Sequence, residues 1–192
     1  PFVIALVAKR RLVFLTSYKL FGVPVFGKLL RAAGMISAGE GSPKNAYRDA
    51  VAALQQGYTL CVFPEGRISP GTGEIAHLRS GAARIALGAD VAVVPVGIYA
   101  PAENLRLLPV KVNGRDDHIR WYERGPYAIT VGEAMKFSTD GSAGMNVRRA
   151  SQQIANRIAE LAAEGRARVL GDGPMPATPR CDAPPDPRHS SP

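Results

Sequence analysis

The segment Phe63-Pro64-Glu65-Gly66-Arg67-Ile68-Ser69 sets a carboxylate and a guanidinium two residues apart, directly after the apolar run Thr59-Leu60-Cys61-Val62. A guanidinium presents a planar fork that matches a phosphate, and a carboxylate beside it can orient that fork or accept a hydrogen bond from a substrate hydroxyl. Pro64 stiffens the strand exit, and Gly66 lets the backbone turn sharply between the two charges. The competing reading is a solvated surface pair in a tight turn, which contributes little. Residue chemistry alone leaves the two readings level.

The flanking sequence says what must hold this segment. Leu12 to Leu15 is a short buried strand, and Tyr18 to Ala33 is broken into helical pieces by Gly22, Pro24 and Gly27. Ser42-Pro43 opens a helix with an N-cap and a Pro at the first helical position; Ala46, Val51, Ala53 and Leu54 give it an apolar face, and Gly57 ends it. Tyr58 to Phe63 follows as a strand. A second helix spans Leu78 to Leu87 and stops at Gly88. Val91 to Tyr99 is nearly all apolar, as expected of a strand covered on both faces. Strands are also expected at Ile119 to Glu123 and Tyr127 to Val131, with a final amphipathic helix from Asn146 to Ala163. This rhythm predicts an α/β fold with a central mixed, largely parallel sheet flanked by helices. Ligands of open α/β sheets sit at the carboxyl ends of strands, where the Glu65–Arg67 segment falls.

The 192 residues suit one domain, expected over 1–165, and a Pro-rich tail over 166–192 with too few apolar groups to order itself. The net charge is +8, and two arginines against three aspartates between Gly171 and Pro192 leave +9 on the remainder. That excess attracts anionic surfaces: phospholipid headgroups, phosphorylated substrates, acyl-carrier proteins or nucleic acid. At 7% aromatic residues, the stacking platform of a single-strand binder is missing. Cys61 reads as a small core hydrophobe and Cys181 lies in the tail, so no disulfide framework is expected and a reducing compartment fits. No run approaches the roughly 18 apolar residues of a membrane span. The opening Pro1-Phe2-Val3-Ile4-Ala5-Leu6-Val7-Ala8 precedes Lys9-Arg10-Arg11, the reverse of a signal peptide's charge order.

Four ordered blocks carry a family resemblance. Phe63-Pro64-Glu65-Gly66-Arg67 resembles the FPEG block of the glycerolipid acyltransferases, the lysophosphatidic acid acyltransferases and their relatives. Leu78-Arg79-Ser80-Gly81-Ala82-Ala83-Arg84-Ile85-Ala86 resembles the helix that comes after it, and Val93-Val94-Pro95-Val96-Gly97-Ile98 resembles the family's VPV strand. Upstream, Leu20 to Pro24, Gly27 and Gly34-Met35-Ile36 are similar to the approach to the family's second block. The resemblance is clear from Pro1 to about Tyr99 and weaker to about Phe137.

The family's reaction uses a His and an Asp separated by four residues. The His takes the proton of the acceptor hydroxyl, the Asp fixes its tautomer, and the alkoxide attacks an acyl thioester. In relatives the Asp commonly precedes a Pro-Phe-like stretch, so the resemblance implies that this box lies upstream of Pro1-Phe2. The first element of the fold is then missing, and the chain as written is not expected to catalyse transfer. His77 has Ala82 at the matching offset, His118 has Glu123 in an expected loop-to-strand passage, and His189 is in the tail. None replaces the box; His118 beside Asp116, Asp117 and Arg120 reads as a solvated surface residue. In the second block, Glu40 stands where relatives place a phosphate-binding Arg. The phosphate would then fall to Arg67, with Lys44 or Arg48 as weaker candidates. Alternatively, the headgroup differs, since Gly66-Arg67-Ile68-Ser69 is similar to relatives acting on lysophosphatidylethanolamine.

The resemblance thus implies acyl transfer from acyl-CoA or an acyl-carrier protein to a lysophosphatidate or lysophospholipid in phospholipid biosynthesis, with no further cofactor and no metal. Glu65, Gly66 and Arg67 would bind substrate; Phe63, Pro64 and Pro95 would be structural. Peripheral attachment to the cytoplasmic face of a membrane is expected, aided by Lys9, Arg10, Arg11, Lys19, Lys28 and Arg31 among Phe14, Tyr18, Phe21 and Phe26. For most of those aromatic positions the competing reading, burial in the core, carries slightly more weight. Two rivals remain: a pseudoenzyme that holds lipid phosphate without a base, and a basic nucleic-acid-binding α/β domain, for which no motif is present.

Overall fold

The computed structural model describes residues 12–22, 25–38, 43–65, 78–112, 115–122 and 124–171. Strand β1 (Leu12–Ser17) runs between β2 (Ile36–Ala38) and β3 (Thr59–Val62), and pairs with both in parallel; Leu15 stands opposite Ile36 on one side and Val62 on the other. Parallel neighbours require crossovers. The first carries helices α1 (Tyr18–Phe21) and α2 (Phe26–Ala32), the second α3 (Pro43–Gln55). Gly27 was expected to break the chain but lies inside α2. Its role is close approach: a Cβ there would sit 2.7 Å from the Phe21 carbonyl carbon, so only glycine lets α2 fold back against α1.

Helix α3 turns Ala50, fully buried, toward the sheet, with Ala46 and Leu54 one turn on either side partly buried. It stops as the sequence predicts. Gly57 has φ +81°, the Tyr58 amide donates to the Ala53 carbonyl at 3.1 Å, and the Gly57 amide donates to Leu54 at 3.0 Å. That is a Schellman closure.

The second half is built on β4 (Val96–Tyr99), β7 (Ala128–Val131), α4 (Gly81–Ala89) and the long α5 (Ala143–Leu170). β4 and β7 pair antiparallel, apart from the three parallel strands among the described residues. The expected strand over Val91 to Tyr99 is shorter and half covered. Val93 makes an isolated bridge to Met135, Gly97 is buried, and Val94 and Ile98 are exposed. Pairing is antiparallel, so one face packs and the other meets solvent. The covered face lies on α5. A Cβ at Gly97 would come 2.6 Å from Leu161 Cβ and overlap the α5 backbone. Ala83, Ala150 and Ile154 join α4 and α5 in a core flanked by Leu87, Val93, Phe137, Val147 and Ile158.

An antiparallel hairpin, β5 (Leu105–Val112) with β6 (Arg115–Tyr122), comes after a 3-10 turn at Ala102–Asn104. It packs chiefly on itself, leaving Leu107 and Leu108 exposed. β5 was not expected, and β6 begins earlier than the expected Ile119. The final helix is longer at both ends than Asn146 to Ala163, and continues unbroken past residue 165 to Leu170, where Gly171 closes it in a left-handed conformation. The remainder of the expected tail lies outside the described residues.

Cys61 is a half-buried free thiol in β3, and burial pushes its thiol up from the ordinary cysteine range. Its thiolate fraction at a given pH is therefore lower than that of an exposed cysteine, and reactivity tracks the thiolate. Alkylation of Cys61 should show a pH–rate midpoint above that of a small thiol, returning to it in denaturant; a native midpoint at or below the free value contradicts this burial. The α5 contact is tested by Gly97→Ala, which should cost about 1–3 kcal/mol through overpacking. Thermal unfolding should fall by several degrees; an unchanged midpoint would mean that α5 does not rest on β4.

Candidate active site

Because β1, β2 and β3 are parallel, their carboxyl ends share one edge. β1 and β2 end there at Ser17 and Ala38, β2 leading on toward the first turn of α3. β3 leaves as Phe63-Pro64-Glu65. Pro64 has no amide hydrogen and cannot extend the ladder. Its carbonyl instead accepts a hydrogen bond of 2.9 Å from the Arg79 amide, just before α4. This bond ties together the two feet of the segment spanning residues 66–77. Gly66 and Arg67 lie outside the described residues, as do Glu40, His77 and His189. Glu65, at the first foot, is half-buried, and its Oε2 is closed off from solvent, while Phe63 is 41% exposed. The site can therefore present an enclosed carboxylate where the sheet's strands end.

On the second foot, the Arg84 guanidinium donates through Nε to Ser80 Oγ at 3.2 Å, which leaves the Ser80 side chain out of any helix-capping bond. Pro95 is fully buried, and its carbonyl accepts the Gly132 amide at 2.9 Å. Val93 and Met135 exchange two backbone bonds of 2.8 and 2.9 Å. Together these pin the approach to β4 against the chain that follows β7, which is a packing task.

Of the weaker phosphate candidates, Arg48 bonds to its neighbour Asp49 at 3.4 Å, both exposed, and Lys44 lines a cleft beside α4. His118 is not in a loop-to-strand passage. It stands in the middle of β6 opposite Pro109, because the hairpin extends to Arg115; Glu123 lies outside the described residues. Among the described residues no cluster of three or more His, Cys, Asp or Glu could hold a metal ion, and no helix is long and apolar enough to cross a membrane.

Sequence reasoning missed Tyr47, Arg84, Thr139 and Asn146, which share the cleft with Lys44. One signal was available. Asn146, Ala150 and Ile154 form a buried i, i+4 stripe, and a carboxamide at its head calls for a partner.

The sequence profile of the family described as Acyltransferase matches residues 1–99, half of the chain and the part that contains the Phe63–Arg67 segment, α4 and Pro95. Among solved structures, the chain is similar to the 1-acyl-sn-glycerophosphate (LPA) acyltransferase PlsC from Thermotoga maritima, with a TM-score of 0.54 and 19% identity. The likeness covers 80% of this chain and 58% of that one, so the chain spans less than two thirds of that protein's length. A search of curated proteins gave no match. With a profile match over half its length and that fold around the same segment, the chain belongs to the acyltransferase family, the one its four ordered sequence blocks resemble.

Proposed function

We propose that the protein takes part in phospholipid biosynthesis, transferring a fatty acyl group from coenzyme A or an acyl-carrier protein to the hydroxyl of a lysophosphatidate or lysophospholipid. The observation that carries this reading is the placement of Glu65. It stands at the carboxyl end of a parallel sheet, on a foot fixed by the Pro64–Arg79 bond, with one carboxylate oxygen enclosed. A carboxylate held there can orient a neighbouring guanidinium, and Arg67, two residues on, supplies the fork for a lipid phosphate. Gly66 gives the backbone room between them. The proton acceptor for the attacking hydroxyl is expected from a His-x4-Asp pair, which lowers the barrier by removing the proton as the oxygen attacks the thioester carbonyl.

A lipid substrate requires contact with a bilayer surface, and the reading includes peripheral attachment at the cytoplasmic face. It is supported by exposed apolar side chains beside basic ones on the first crossover: Tyr18, Val25 at 79% exposure and Leu29 at 62%, next to exposed Lys28 and Arg31. Phe21 belongs to the core instead, only 5% exposed, with the Arg31 guanidinium 5.6 Å from its ring centre.

The experiment is steady-state kinetics of the full-length protein with Arg67→Ala. Loss of a charge-assisted bond to phosphate is worth about 1.5–3 kcal/mol. The acceptor KM should therefore rise by roughly ten- to a hundredfold, with the donor KM changing much less. Equal effects on both substrates would remove Arg67 from the acceptor phosphate.

A further inference from the structure

The strands of the β5–β6 hairpin pair with each other and, among the described residues, with no third strand. Leu107 and Leu108 are neighbours in β5, so they belong to opposite faces of the ribbon, and both are exposed. A two-stranded ribbon with neither face covered is marginal by itself, and its free edges are templates for a further strand. The two edges differ. A proline takes its place in a ladder with its nitrogen turned away from the partner strand, so Pro109 leaves the outer edge of β5 without a donor near its middle. β6 contains neither proline nor glycine. His118 stands opposite Pro109, and residues directly opposite in an antiparallel ladder either both face each other or both face away with their backbone groups. The amide and carbonyl of His118 therefore point to the outer edge of β6, as do those of Asp116 and Arg120, two residues to either side.

Charges on an edge strand commonly repel a further strand, and an in-register parallel copy of β6 would indeed set Asp116 beside Asp116 and Arg120 beside Arg120. An antiparallel copy centred on His118 does the opposite. It sets Asp116 of each copy opposite Arg120 of the other, and Arg115 opposite Trp121. Sliding that copy by two residues in either direction loses both Asp–Arg pairs. We propose that β6 pairs edge to edge with β6 of a second copy of this chain, antiparallel about His118, joining two hairpins into one four-stranded sheet. This surface uses none of the residues assigned to acyl transfer and does not rest on that reading.

Sedimentation velocity of the full-length protein without lipid should show a concentration-dependent dimer. Arg120→Asp sets carboxylates opposite each other at both pairs and should weaken dimerisation about tenfold or more. Asp116→Arg should do the same with two cations. Mixing these two variants restores both opposite-charge pairs, so a heterodimer should form where neither variant dimerises alone. Arg124→Asp, at an exposed position beyond β6, should leave the dimer unchanged. A second measurement needs no charge reversal: His118→Cys, in a Cys61→Ser, Cys181→Ser background, should oxidise to a disulfide-linked dimer, because facing residues there lie about 5.5 Å apart between Cα atoms. A chain that stays monomeric at millimolar concentration, a dimer indifferent to Arg120→Asp, or a His118→Cys chain that does not crosslink overturns the proposal. So does a monomer whose Arg120→Asp variant loses binding to phosphatidylglycerol vesicles, which would assign this edge to a lipid surface.

Discussion

The backbone bond from the Arg79 amide to the Pro64 carbonyl is the constraint on which the candidate active site depends. A parallel strand delivers its carboxyl end to the sheet edge, but strand geometry does not fix the course of the chain beyond that edge. Pro64 stops the ladder by lacking a donor and still offers an acceptor. Taking that acceptor ties the end of β3 to the start of α4, so the chain between them must leave and return at fixed points. Closing such a loop costs entropy once, and the cost grows only slowly with length. Both of those points then stand on a rigid scaffold.

That scaffold is assembled from small residues. Ala50 brings α3 onto the parallel strands, Gly27 brings α2 onto α1, and Gly97 lets α5 lie directly on β4. Ala83 and Ala150 do the same between α4 and α5. α4 touches both α3 and α5, and so couples the half of the molecule that carries Glu65 to the half that carries the long helix. With so little side chain between backbones, a single added methyl forces a shift of a whole element. The same close packing leaves the cleft at the junction of α3, α4 and α5, where no single element could have formed it.

Much of the frame around the site is legible in the sequence, for identifiable reasons. Ser42-Pro43 and Gly57 bracket α3 with strong local signals, and the apolar run before Pro64 reads as a strand, which it is, with all four residues part-buried. β5 escaped because Arg106, Pro109 and Lys111 interrupt its apolar pattern. The pair Asn113-Gly114, the strongest short hairpin signal in the chain, went unused. Val91 to Tyr99 was misjudged because apolar content alone does not say whether one face or two are covered; Val94 and Ile98 are the exposed ones. Glu65 was found from its motif, and the structure puts it at the expected sheet edge. Tyr47, Arg84 and Asn146 come from three elements distant in sequence, and no local pattern announces their meeting.

The acceptor role of the Glu65 segment is tested most directly by photo-crosslinking the full-length protein with a lysophosphatidate that carries a diazirine close to its phosphate. With the headgroup bound at the carboxyl edge of the parallel strands, the labelled peptides should span Phe63 to Arg79, and unlabelled lysophosphatidate should compete the label away. Label confined to the Leu105–Tyr122 hairpin or to α5, with none in the Phe63–Arg79 peptide, would contradict that assignment.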